Sequence, residues 1–196
     1  MTTGIILCGA LGREVKTLIE QYGWDAEMIG VPAIDHVFPD RIAPHVEALI
    51  VQWQEKYERI IVAFGDCGSY GELDKVLDRY PDIERISGPH CYEFYGGDIF
   101  QELMAEEPGT FLLTDFMVRT FRGLISKSMG LDRFPELRQA YFGNYKRVVY
   151  LAQTSDSNLR KKAEKIAADL ELPLEILETG YGPFEVRLAA LMNNTP

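Results

Sequence analysis

Three cysteines follow apolar, strand-like runs in this chain: Gly4-Ile5-Ile6-Leu7-Cys8-Gly9, Ile60-Ile61-Val62-Ala63-Phe64-Gly65-Asp66-Cys67-Gly68, and Arg85-Ile86-Ser87-Gly88-Pro89-His90-Cys91. Thiolates are nucleophiles and soft metal ligands. If these runs are parallel strands, their carboxyl ends share one edge of a sheet, where such folds collect their ligands. Three thiolates brought into one pocket repel one another, so their convergence implies a cation or cluster between them. Zinc and an iron–sulfur cluster both suit such a set, and the choice stays open. No Cys-x-x-Cys pair is present, so the expectation of a metal site at Cys8, Cys67 and Cys91 rests on position along the strands. His90 stands beside Cys91 as a fourth ligand, with water or substrate as the alternative. The plainer reading is that each cysteine is a small buried hydrophobe.

Other residues fall near the same expected edge. Asp66, next to Cys67, can orient a bound group or act as general base, and His90 and Glu93 complete the catalytic candidates. Glu93 also suits the first turn of a helix, where the dipole favours an acid. Asp115 reads as a helix N-cap. Arg13, one turn into the first helix, can hold an anionic substrate or form a surface salt bridge. Tyr92 is a substrate-binding candidate, with Tyr70, Tyr95 and Tyr181 as further linings of a cleft. His36 follows the second strand and lies on the same expected edge, whereas His45 falls within a helical pattern and reads as structural. Gly9-Ala10-Leu11-Gly12 lacks the Lys-Ser/Thr of a P-loop and the third glycine of a dinucleotide loop, so it predicts no nucleotide site.

The elements that must position these residues alternate along the chain. Strands are expected at 4–8, 26–31, 59–64, 83–86, 110–113, 148–152 and 174–177. Between them, apolar residues recur at helical spacing, as in Ile42, Val46, Leu49, Ile50 and Trp53. Helices are expected from Leu11 to Tyr22, after Pro39, at 72–80, at 94–105, after a Thr114 or Asp115 cap, and from a Ser155 or Asp156 cap to Leu170. The last follows Gly180-Tyr181-Gly182-Pro183. Such alternation predicts a layered α/β fold, a mostly parallel sheet flanked by helices, as a single domain over residues 1–196.

Composition narrows the function classes. The chain carries 30 acidic against 20 basic side chains, a formal net charge of -10. That balance argues against nucleic acid or an anionic membrane as partner, and Arg160-Lys161-Lys162 reads as the wet face of a helix. No run of apolar residues reaches membrane-spanning length. The N-terminus has no basic stretch ahead of its first apolar run, and three cysteines at wide spacing are unlike a secreted disulfide framework. These features predict a cytoplasmic protein with reduced thiols.

Several segments together resemble a domain-of-unknown-function family of methanogens and of anaerobic and methylotrophic bacteria. They are Cys8-Gly9-Ala10-Leu11 with Arg13-Glu14, Gly65-Asp66-Cys67-Gly68, Gly88-Pro89-His90-Cys91-Tyr92-Glu93, the stretch from Gly109 to Phe116, Tyr141-Phe142-Gly143-Asn144-Tyr145, and Tyr150-Leu151-Ala152-Gln153-Thr154. Members tend to be encoded near corrinoid-dependent methyltransferases and reductive activators of corrinoid proteins. The resemblance therefore implies a place in one-carbon or methyl-group metabolism, with a corrinoid protein or methyltransferase as partner, and it carries no catalytic assignment. A looser likeness, in idea alone, is to quinolinate synthase, where α/β units each give a single cysteine to one cluster. Residues and resemblance together lead to a metal-dependent enzyme, zinc or iron–sulfur, acting on a small methylated or thiol substrate through Cys8, Cys67 and Cys91. The alternative is a non-catalytic metal- or corrinoid-binding accessory protein of a methyltransferase system.

Overall fold

The computed structural model describes residues 2–193. In chain order the first elements are β1 (Thr3–Cys8), α1 (Gly12–Tyr22), β2 (Ala26–Val31), α2 (Ile42–Trp53), β3 (Arg59–Ala63), α3 (Glu72–Leu77) and β4 (Glu84–Arg85). Next come α4 (Cys91–Gly96), α5 (Asp98–Glu106), β5 (Thr110–Leu113), α6 (Asp115–Phe121), α7 (Leu137–Phe142), β6 (Arg147–Ala152), α8 (Ser157–Leu170), β7 (Leu174–Glu178) and α9 (Gly182–Asn193). The α/β alternation expected from the sequence is present, and every strand pair is parallel.

The strands form two sheets, where the sequence suggested one. The first has the order β2-β1-β3-β4 and the second β5-β6-β7. The chain correspondingly divides into two compact units, Met1–Cys91 with Pro183–Pro196, and Tyr92–Gly182. Periodicity marks strands but does not say which strand pairs with which, and that is why the division was not visible beforehand.

Burial follows position in each sheet. All of β1 is buried, as a strand between two neighbours and two helical layers must be, while β2 at the edge is mostly exposed. In the second unit the central β6 is buried from Val148 to Ala152. In the first unit α2 lies on the face of β1 to which Gly4 points, since a Cβ there would stand 2.7 Å from Trp53. Alternation along the strand puts Cys8 on that same face. The C-terminal α9 joins α1 through Glu185, whose carboxylate accepts from Tyr22 Oη at 2.7 Å and Gln21 Nε2 at 3.2 Å.

Two local readings change. The helix expected at 94–105 is two helices, because Gly97 adopts φ 51° and ends the first of them. The apolar spacing runs through the break, but only a residue without a Cβ takes that conformation at little cost. The cap of α6 is Thr114, whose Oγ1 accepts from Met117 N at 3.3 Å, and not Asp115.

Candidate functional site

The order of the first sheet fixes where its ligand cleft lies. From β1 the chain crosses to β2 on one side and then returns to β3 on the other. Helices therefore leave the carboxyl ends of β1 and β3 toward opposite faces, and a crevice opens between those ends. Cys8 is the last residue of β1, and Cys67 lies in the loop after β3. The two thiols thus flank the switch point. Cys91 follows β4 at the start of α4, and His36 lies in a 3-10 turn, Ala33–Val37, that follows β2. Each of the four strands is followed by or ends on one potential ligand, in the strand order His36, Cys8, Cys67, Cys91.

Cys8 is 3% exposed and caps a short 3-10 turn, with its Sγ accepting from Ala10 N at 3.4 Å. His36 Nε2 stands 3.8 Å from that sulfur. Burial, and then the charge of Cys67, push the Cys8 thiol up to about 12 against the lowering N–H groups of Ala10 and Leu11. Cys67 is likewise pushed up to about 12, first by burial and then by Asp66. Thiols so placed become thiolates readily only when a cation joins them.

Asp66 builds the loop that carries Cys67. Its carboxylate accepts from Gly71 N at 2.8 Å, Ser69 Oγ at 2.8 Å, and Gly68 N and Tyr70 N at 3.2 Å each. Burial opposes its charge, but the donors led by Gly71 N outweigh burial and lower its pKa. A carboxylate with four donors and a depressed pKa is a poor proton acceptor near neutrality. The geometry therefore makes Asp66 a scaffold for a loop in which Cys67 and Tyr70 hold φ 49° and 53°.

The loop before Cys91 is tied to the same place. Cys67 N donates to Pro89 O at 2.9 Å, and a Cβ on Gly65 would stand 2.6 Å from that same carbonyl oxygen. Only glycine permits this approach, because the opposing atoms are backbone and cannot swing aside. Gly65→Ala is expected to cost about 1–3 kcal/mol in urea denaturation and to break the Cys67–Pro89 bond. A cost below about 0.5 kcal/mol would show that the 88–91 loop yields freely.

The remaining candidates are placed as follows. His90, Cys91, Tyr92 and Glu93 are half-buried. Tyr92 packs against the second unit's core of Leu103, Leu112, Val149 and Leu151. Glu93 lies in the first turn of α4. Arg13 is exposed at the start of α1. Asp35 was missed from the sequence: it is 2% exposed, accepts from His45 Nδ1 at 2.6 Å, and its charge adds to the forces raising the Cys8 pKa. Its signal was its place beside His36 after the second strand.

Asp115 was assigned a cap and has a larger part. It is fully buried at the carboxyl edge of the second sheet, where Tyr150 Oη donates to it at 2.5 Å, Thr154 Oγ1 at 2.6 Å, Gln153 N at 3.0 Å and Arg119 at 3.2 Å. A cavity of about 700 Å³ in that unit is lined by Arg122, Ser126, Arg138 and Lys165 among others. Two of its cations are engaged, Arg138 with Glu171 and Lys165 with Asp169, and no cysteine lines it.

Among the described residues no three His, Cys, Asp or Glu side chains already stand as a group able to hold a metal ion. One pair of donors at the switch point, Cys8 and His36, stands at a ligand-like separation. Sulfur and nitrogen ligands of a tetrahedral zinc, at about 2.3 and about 2.0–2.1 Å, lie roughly 3.5–3.7 Å apart, close to the separation of Cys8 and His36. Fold and edge together define a parallel α/β protein with a cysteine- and histidine-lined switch point. The chain belongs to the family described as "Protein of unknown function (DUF1638)", whose match covers residues 31–188. The matched span contains His36, Cys67, Cys91 and Asp115, and Cys8 precedes it. No curated protein and no solved structure matches the chain. Among the described residues no helix is long and apolar enough to cross a membrane.

Proposed function

We propose that this chain is a metal-dependent enzyme of one-carbon or methyl-group metabolism, acting on a small methylated or thiol substrate through Cys8, Cys67 and Cys91. The observation that carries this reading is the pair of thiols flanking the switch point, the buried Cys8 and the partly buried Cys67. A zinc ion or iron–sulfur cluster held there would supply Lewis acidity toward a thiol or methylated substrate. The chain's own residues would hold Cys67 in place through Asp66, keep Cys8 from water, and admit substrate past the exposed loop around Tyr70, with Arg13 as a further contact. His90 remains the acid–base candidate. The setting in methyl metabolism, in the cytoplasm of methanogens and methylotrophic or anaerobic bacteria, rests on the sequence resemblance.

One observation favours the second reading, an accessory protein that binds a metal or corrinoid for a methyltransferase without turnover. Ile34, Val37, Phe38 and Tyr70 are exposed around the same loops, and clustered exposed apolar side chains mark contact surfaces.

Metal analysis of anaerobically purified protein, with its absorption spectrum, tests the metal. A colourless zinc protein or a brown iron–sulfur protein is the expected result, and a metal-free protein that takes up neither overturns it. Methyl transfer to a thiol or a corrinoid, assayed with and without a corrinoid methyltransferase, separates enzyme from accessory protein. Turnover by this chain alone supports the first reading, and turnover only by the added enzyme supports the second.

A further inference from the structure

We infer that the cavity in the second unit binds a small zwitterion, an amino acid with an apolar side chain, with its carboxylate at Arg122 and its ammonium at Asp132. The inference goes beyond the thiol reading. Cys8, Cys67 and Cys91 all belong to the first unit, and none of them lines this cavity.

The charges in the lining are Arg122, Arg138, Lys165, Asp132 and Asp169. Three of them are already engaged. Lys165 Nζ pairs with Asp169 Oδ1 at 3.2 Å, one turn on along α8. Arg138 pairs with Glu171 at 2.6 Å and donates to the carbonyl of Asp169 at 3.2 Å, which ties α7 to the end of α8. Arg122 and Asp132 remain. Neither side chain has an ion-pair or hydrogen-bond partner among the described residues, and they do not pair with each other. Two opposite, unpaired charges in one lining suit a ligand that carries both. A simple anion would face Asp132 and a simple cation would face Arg122, and like charges brought together are costly.

The backbone that presents these groups is a second, independent observation. At Arg122 the helix α6 passes into a π-helical stretch, Arg122–Lys127. Such turns are rare and recur at functional sites. This one gives the cavity both Arg122 and Ser126, whose hydroxyl is a further donor for a carboxylate. The loop that carries Asp132 is bonded back to the same stretch, with Leu131 N donating to Ser126 O at 2.8 Å after a turn at Gly130, φ 72°. The rest of the lining is largely apolar, with Phe121, Leu131, Pro135 and Leu170. Phe121 and Leu170 also belong to the unit's buried core, so this wall is fixed. The volume of about 700 Å³ falls within the range of small-molecule sites. An apolar side chain on the ligand would cover the wall and gain from its own burial. Arg122 and Asp132 are themselves exposed, so replacing them leaves the core untouched.

The full-length protein is titrated by calorimetry with L-leucine, L-methionine and L-phenylalanine, each beside its N-acetyl and its amide derivative. At least one of the amino acids should bind saturably, at one site per chain. Its N-acetyl form lacks the ammonium and its amide lacks the carboxylate, and each should bind at least about 10-fold more weakly, the loss of one charge-assisted hydrogen bond. Arg122→Gln and Asp132→Asn, shown to be folded by circular dichroism, should each weaken the intact amino acid by a similar factor. The two ends separate: Arg122→Gln should cost the amide nothing further, and Asp132→Asn should cost the N-acetyl form nothing further. Absence of saturable binding by all three amino acids would overturn the inference. So would wild-type affinity in both variants, or equal affinity for an amino acid and its two derivatives. These titrations involve no metal and no thiol, so their outcome is independent of the metal analysis.

Discussion

Asp115→Ala should remove about 3–5 kcal/mol from the stability of the second unit, the usual loss when one partner of a buried charged network is deleted. The carboxylate is 0% exposed and is the shared acceptor for Tyr150 Oη, Thr154 Oγ1 and Gln153 N, with Arg119 alongside. Alanine removes that acceptor and leaves these donors facing a cavity, so each loses a bond that water cannot replace. Tyr150 feels this most: burial and then its bond to Asp115 raise its pKa, so it is held there as a neutral donor. Asp115→Asn keeps the volume and half the acceptor capacity, and should fall between wild type and alanine. Guanidinium unfolding followed by far-UV circular dichroism measures both. A loss below about 1 kcal/mol, the range of exposed ion pairs, would show that the network is dispensable.

The second large effect concerns the metal proposed above. Cys8→Ser is nearly isosteric and keeps an acceptor for Ala10 N, so the metal-free protein should unfold close to the wild-type midpoint. What it loses is the sulfur at the centre of the switch point, and zinc affinity should drop by at least about 100-fold. The loss is readable as stability. At a zinc concentration of 100 times its dissociation constant, the wild-type chain gains about 2.7 kcal/mol, whereas a variant binding about 100-fold more weakly gains only about 0.4 kcal/mol. Thermal unfolding with and without zinc makes the comparison. Equal zinc stabilisation of the two proteins would exclude Cys8 as a ligand.

How far these features could be read beforehand depends on how local they are. β1, β3 and β6 are apolar runs that announce themselves, and the cysteines at or beyond the ends of β1 and β3 follow directly. The site's dependence on sheet order was not legible. Cys8 meets His36 only because β2 pairs with β1 and a 3-10 turn carries the ring back over the strand end. Asp66 looked like a base because its side chain was read alone, but its donors come from the five residues that follow it, a loop whose backbone conformation no periodicity encodes. Asp115 lies 35 to 39 residues from the donors in and just after β6 that hold it, so only the tertiary fold distinguishes it from an ordinary first-turn acid.

The first unit is discontinuous in sequence, and that sets a timetable. Its sheet is made early, but Pro183 onward belongs to it, with Arg59 bonded to the carbonyls of Leu191 and Met192 and Arg187 to that of Ser87. During synthesis the intervening unit, a continuous stretch, is complete while the first still lacks its last helix. The thiol-bearing edge is thus synthesised early, and α9 joins its unit only after the whole of the intervening unit has been made.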